Sequence, residues 1–174
     1  MAFFKFATMK NFRDWFFNKI TVGAFPYKQN SLFEASDYDV VINVSDEWYP
    51  DVENMLLEKF CRVYWFPMNE CSRDMGLCSI YGAMHILKRA EERNLRVYLH
   101  CHAGINRSRT VYAAYYFMRT GEHLNTERNA LLYNVLYGKL PNKNIMEPIL
   151  KKIESNKMQG GKFDEILLSY DNEI

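Results

Sequence analysis

The chain has 174 residues, of which 48% are hydrophobic, and its 22 basic and 21 acidic residues leave a net charge of +1. This length is typical of one domain with a substantial core, and the apolar content excludes an intrinsically disordered chain. The near-neutral charge argues against a general nucleic-acid-binding surface, although it is compatible with a local basic pocket.

Residues 1–19 form an aromatic and basic arm before the first predicted strand. Phenylalanine and tryptophan are interleaved with lysine and arginine, and Phe12, Trp15 and Phe16 have helical spacing. The apolar runs are too short for a signal peptide or a membrane span. An arm packed on the domain is favoured over a helix that lies at a membrane interface.

Strands and helices are predicted to alternate through the rest of the chain. Strands are expected at residues 20–23, 38–44, 62–66 and 96–100, and helices at 31–36, 52–59, 77–93, 110–118, 123–137, 143–156 and 162–169. This alternation predicts a single α/β domain, residues 20–155, with a central, mostly parallel sheet of four to five strands flanked by helices. Residues 156–174 are a C-terminal tail that includes the last predicted helix.

The segment at residues 100–110 carries most of the chemistry. It joins a predicted strand to a predicted helix, where backbone N–H groups and the helix dipole attract anions. Cys101 lies in that field, which favours the nucleophilic thiolate. Arg107, six positions later, can bind two oxygens of a phosphate with its guanidinium, and Ser108 can donate a hydrogen bond to the sulfur.

This segment resembles the His-Cys-x5-Arg-Ser/Thr signature of the protein tyrosine and dual-specificity phosphatases. The matching residues are His100, Cys101, Gly104, Arg107 and Ser108. Residues 20–25, 37–47 and 130–142 also look like small dual-specificity phosphatases, so the resemblance extends over residues 20–153. It implies a protein tyrosine phosphatase-like fold with a shallow pocket.

The resemblance also implies a phosphomonoester hydrolase that works through a phosphocysteine intermediate and needs no metal or other cofactor. Cys101 would be the nucleophile, Arg107 would bind the phosphate, and Ser108 would help the sulfur to leave. The phosphate-binding loop would also include His102, Ala103, Gly104, Ile105 and Asn106. We call residues 101–107 the signature loop.

Four further residues have weaker assignments. His100 is expected to orient the signature loop by hydrogen bonding, and Asn142, in a Pro-Asn turn like that of the family, to position the attacking water. Trp48 and Tyr49 are candidate walls of the pocket, with core packing or loop anchoring as the alternative.

The general acid is not fixed by the sequence. In the family, an aspartate about thirty residues before the cysteine protonates the leaving group, and the corresponding residue here is Asn69, thirty-two positions before Cys101. An amide cannot donate this proton. Glu70 and Asp74 are equally favoured replacements, and the absence of a dedicated acid is the third alternative.

A second enzyme class carries a similar loop. RNA 5′-triphosphatases of the cysteine-phosphatase type have Gly-x-Asn-Arg, which matches residues 104–107, and they do not depend on the missing aspartate. They usually continue with Arg-Thr-Gly, whereas this chain continues Arg107-Ser108-Arg109. A phosphoprotein phosphatase is therefore favoured, with an RNA 5′-triphosphatase or a phosphate-binding pseudophosphatase as alternatives.

The cysteines indicate the cellular compartment in which the protein is expected. The chain has four cysteines, Cys61, Cys71, Cys78 and Cys101, whose spacing fits no common zinc pattern. A cytoplasmic location follows, because a nucleophilic thiolate needs reducing conditions. A phosphorylated protein is the expected partner, and nucleic acid is a partner only under the RNA alternative.

Overall fold

The computed structural model describes residues 19–26, 37–48, 50, 54, 61–69, 76–122 and 143–158. Within these ranges, the strands are β1 (Ile20–Gly23), β2 (Val40–Asn43), β3 (Arg62–Trp65) and β4 (Val97–His100), and the helices are α1 (Leu77–Glu92), α2 (Arg107–Thr120) and α3 (Lys143–Met158). The predicted elements in these ranges are all present. One boundary differs in a way that matters for the site, because α2 begins at Arg107 rather than at Thr110.

The four strands form one parallel sheet in the order β1-β4-β2-β3. Gly23 and Asn43 both pair with His100, and Asn43 also pairs with Trp65, so the last residues of all four strands form one row. The carboxyl ends of all four strands therefore meet at one edge of the sheet, where ligands of open α/β sheets bind. The parallel sheet of four strands confirms the predicted fold class.

The main core lies between one face of the sheet and the three described helices. Alternate residues of the strands, such as Ile42 and Leu99, pack here against the apolar stripe of α1, which includes Ile80, Met84 and Leu87. The stripe has the spacing of an amphipathic helix. A smaller cluster on the opposite face contains Val41, Cys61 and Tyr98.

Several predicted segments lie outside the described residues. They are the aromatic arm, the helices at 31–36, 123–137 and 162–169, most of the helix at 52–59, and the end of the tail. The division into arm, catalytic domain and tail stays a prediction. In the described ranges, no helix is both long enough and apolar enough to cross a membrane.

Candidate active site

The signature loop connects the end of β4 to the first turn of α2. Cys101 follows β4 directly and is only 2% exposed. Asn106 is the N-cap of α2, and its carbonyl accepts the first backbone hydrogen bond from Thr110 N–H at 2.8 Å. Because the helix starts at Arg107, the unpaired N–H groups of its first turn lie at the end of the loop, where they can bind an anion.

Gly104 lets the loop pass close to the end of β1. Its φ of +68° lies in the left-handed region that favours glycine. A Cβ at this position would lie 2.5 Å from both Ala24 N and Gly23 C, which are backbone atoms. The position therefore requires glycine for two independent reasons.

Two hydrogen bonds hold carbonyl groups of the loop from outside. Phe25 N–H donates to the His102 carbonyl at 2.9 Å. Arg109 Nε donates to the Gly104 carbonyl at 2.6 Å. Arg109 therefore stabilises the backbone of the loop.

The candidate nucleophile and Ser108 are adjacent. Cys101 Sγ lies 3.5 Å from Ser108 Oγ, and Ser108 is fully buried in the first turn of α2. The hydroxyl can donate to the sulfur at this distance, because sulfur forms longer hydrogen bonds than oxygen does. A hydroxyl in this position can stabilise the thiolate form of Cys101.

Arg107 is held by two groups that sequence reasoning missed. The residue is 6% exposed, and its Nη1 donates to Asp46 Oδ1 and, at 3.2 Å, to the Met68 carbonyl. The hydrogen bond from Arg107 lowers the pKa of Asp46, and partial desolvation opposes this effect. Asp46 is thus an ionised carboxylate that orients the guanidinium.

His100 has the environment of a neutral imidazole. It is 2% exposed, and burial lowers its pKa to about 4. Its Nδ1 lies 3.4 Å from the Cys101 carbonyl, and the Phe25 ring contacts it edge-on with ring centroids 5.4 Å apart. A neutral, enclosed ring fits the proposed role in orienting the loop better than the role of a base.

Ionisable groups border the mouth of the loop. His102 Nδ1 lies 2.7 Å from Glu47 Oε2, and both side chains are substantially exposed. Glu47 and Asp46 belong to the segment after β2, so this segment faces the signature loop with two carboxylates. Among the described residues, no group of three or more histidine, cysteine, aspartate or glutamate side chains could hold a metal ion.

Exposed apolar side chains lie at the same edge of the sheet. Trp48 and Trp65 are 36% and 39% exposed, and Ile105 in the signature loop is 55% exposed. The tryptophan ring centroids are 4.8 Å apart, and Trp65 Nε1 donates to the Ser45 carbonyl at 2.8 Å. The tryptophan pair is thereby fixed to the segment that carries Asp46.

The position of the missing aspartate is close to Arg107. Asn69 is exposed. It directly follows the buried residue Met68, whose carbonyl accepts a hydrogen bond from Arg107. Asn69, the residue that spacing identified, is therefore the sequence neighbour of a residue that binds the guanidinium, and its side chain is an amide. Tyr49, Glu70, Asp74 and Asn142 lie outside the described residues, so their assignments stay predictions.

The chain matches one family model, described as "Dual specificity phosphatase, catalytic domain", over residues 21–153. This match confirms the resemblance inferred from the signature. No curated protein sequence matches the chain.

Solved phosphatase structures share the fold. A structure of PTPMT1 in complex with PI(5)P has a TM-score of 0.65 and 14% identity, covering 83% of this chain and 96% of that one. DUSP15 has a TM-score of 0.64 and 14% identity, covering 87% and 92%. The catalytic core of the PP-IP phosphatase SIW14 from S. cerevisiae has a TM-score of 0.60 and 15% identity, covering 81% and 84%. Identities this low establish the fold alone.

Proposed function

The chain belongs to the dual-specificity phosphatase catalytic-domain family, and on that premise we propose that it hydrolyses phosphomonoesters of proteins through a phosphocysteine intermediate. The substrates would be phosphotyrosine, phosphoserine and phosphothreonine. The observation that carries the proposal is the convergence of Cys101, Ser108 and Arg107 at one strand–loop–helix junction. SIW14 is a PP-IP phosphatase and PTPMT1 was solved in complex with PI(5)P, so other proteins of this fold act on or bind other phosphates as well.

In the first step, Cys101 Sγ attacks phosphorus while the bond from phosphorus to the ester oxygen breaks. The three non-bridging oxygens receive hydrogen bonds from the loop amides and from the Arg107 guanidinium, which Asp46 keeps in position. The departing oxygen takes a proton from a carboxylic acid, Glu70 or Asp74, or leaves as an anion when it is already stable.

In the second step, water attacks phosphorus and the bond from phosphorus to sulfur breaks. The thiolate leaves more easily because Ser108 Oγ, 3.5 Å away, can donate a hydrogen bond to it. The acid of the first step, now a carboxylate, takes a proton from the water. Inorganic phosphate departs and Cys101 is regenerated.

The proposal is tested by Cys101→Ser and by a matched control, Cys78→Ser. Cys78 is an exposed cysteine of α1, outside the candidate site. Cys101→Ser should abolish turnover of an aryl phosphate and still bind vanadate, whereas Cys78→Ser should keep wild-type turnover. Full activity of Cys101→Ser would refute the mechanism.

An RNA 5′-triphosphatase is the second candidate, and Asn69 favours it. A phosphoanhydride leaves as a stable anion, so a site with asparagine beside Arg107 would suffice for that reaction. Rapid release of phosphate from triphosphate-ended RNA, with little turnover of a phosphotyrosine peptide, would select this candidate. A pseudophosphatase would bind vanadate and turn over neither substrate.

The pH–rate profile identifies the acid. Wild type, Glu70→Gln and Asp74→Asn should be compared with an aryl phosphate as substrate. The basic limb of the profile is the decrease in rate at high pH. If one variant loses this limb, the substituted residue is the acid. If both variants keep it, the result supports chemistry without an acid.

A further inference from the structure

A second cluster of positive charge lies at the end of the sheet opposite the signature loop. One cleft is lined by Arg62 on the edge strand β3, by Arg89 on α1 and by Arg93, the C-cap residue of α1. Arg62 begins its strand and pairs with Val40, the first residue of β2. The first residues of the strands are about 10 Å from the row of last residues at the active-site edge of the sheet, since each residue of a strand advances about 3.3 Å.

The guanidinium groups of this arginine cleft have no partner within the described ranges 19–26, 37–48, 61–69, 76–122 and 143–158. In the part of the chain that the structure describes, the other arginines each donate to a carboxylate or a carbonyl: Arg96, Arg107, Arg109 and Arg119. The three arginines of the cleft are exposed, and none forms a side-chain hydrogen bond or ion pair with another described residue. Among the described arginines, only the three that converge in the cleft lack such a partner.

The described carboxylates near the cleft pair with other basic residues. Glu92 pairs with Lys88, and Glu91 pairs with Arg119 of α2. At the same end of the sheet, Asp39 accepts from Arg96. Arg89 and Arg93 are also four residues apart at the end of α1, a spacing at which like charges repel. The cleft therefore concentrates positive charge that no carboxylate of the described residues neutralises.

The cleft has an apolar floor. Val40 and Ala90 are buried there, and Ile86 and Leu95 are partly exposed. A hydrated inorganic anion gains little from such a surface. A peptide that carries carboxylates beside an apolar side chain can satisfy the arginines and cover the floor at the same time.

We propose that the arginine cleft is a docking site for an acidic, apolar-flanked peptide segment of a partner protein, separate from the active site. Nothing in the catalytic mechanism requires these arginines, and the proposal does not depend on which phosphate the enzyme hydrolyses. Charge complementarity selects the ligand, and the apolar floor selects a peptide over a free anion.

The test measures binding of a fluorescein-labelled peptide, Glu-Glu-Leu-Glu-Glu, by fluorescence anisotropy. Vanadate is added to occupy the signature loop, and the peptide carries no phosphate. Arg89→Glu/Arg93→Glu should weaken binding about tenfold or more, because each charge-assisted hydrogen bond contributes a factor of roughly ten. Turnover of an aryl phosphate should be unchanged.

The matched control is Lys151→Glu/Lys152→Glu, which makes the same change in charge on an exposed part of α3. Its peptide affinity should equal that of wild type. Equal loss in both double variants, or no loss in either, would overturn the proposal. Binding of anionic vesicles but not of the peptide would overturn the choice of a peptide ligand.

A neutral variant separates docking from folding. Arg89→Gln/Arg93→Gln should also lose peptide affinity, while its midpoint of thermal unfolding should be no lower than that of wild type. A lower midpoint with unchanged affinity would show that the arginines are structural and would overturn the proposal.

Discussion

The buried His100 should make the protein lose stability between about pH 6.5 and pH 4. Its pKa falls from 6.5, the value expected in the unfolded chain, to about 4 in the folded protein because the ring is buried. Between these values, the unfolded chain binds more protons than the folded one does. The stability contributed by the neutral ring is therefore complete above about pH 6.5 and decreases as the pH falls towards 4.

The size of this effect follows from the two pKa values. A difference of about 2.5 pH units, at about 1.36 kcal/mol per unit, predicts a loss of about 3 kcal/mol between pH 7 and pH 4. This is a large share of the roughly 5–15 kcal/mol that stabilises a typical domain. The carboxyls of Asp39 and Asp46 have lowered pKa values, so their contributions are lost at lower pH.

Urea unfolding of wild type and His100→Asn across this pH range provides the assay. The difference in free energy of unfolding between the two proteins should shrink by about 3 kcal/mol as the pH falls from 7 to 4. In wild type alone, the NMR signal of the His100 ring should not titrate above about pH 5. The same pH dependence in both proteins, or a ring that titrates near pH 6.5, would refute the reasoning.

Four other substitutions test the site. Gly104→Ala should cost about 1–3 kcal/mol of stability in thermal unfolding, because φ is positive and backbone lies at 2.5 Å; an unchanged midpoint would contradict this. Asp46→Asn should lower kcat/KM about tenfold, since Arg107 loses a charged partner; unchanged kinetics would show that Asp46 does not orient it. Trp48→Ala should raise KM about threefold to tenfold for an aryl phosphate and leave an alkyl phosphate unaffected; equal effects would exclude stacking. Asn69→Asp should raise kcat for an aryl phosphate about tenfold or more and add a basic limb to its pH profile; no gain would mean that Glu70 or Asp74 already supplies the proton.

Local sequence patterns predicted the elements that build the loop. The β-branched run around Val40 and Ile42 indicated a buried strand, and the spacing of Ile80, Met84 and Leu87 indicated the apolar face of α1. These features are local, so one sequence reveals them. The start of α2 was predicted three residues late, although Asn106 is a residue type that often caps helices.

Long-range contacts could not be predicted in the same way. Asp46 and Arg107 are 61 residues apart, and they meet because β2 lies beside β4 in the sheet. The order of parallel strands depends on tertiary packing, which periodicity does not record. The same reason explains why the joining of Arg62 to Arg89 and Arg93 in one cleft was not expected.

The central claim is that phosphate is transferred to Cys101. Wild type and Cys101→Ser should be mixed with an aryl phosphate, quenched rapidly in acid, digested and examined by mass spectrometry. The wild-type peptide that contains Cys101 should carry one phosphoryl group on sulfur, and no other peptide should gain one. Continued hydrolysis without modification of that peptide, or phosphorylation of a different residue, would contradict the account.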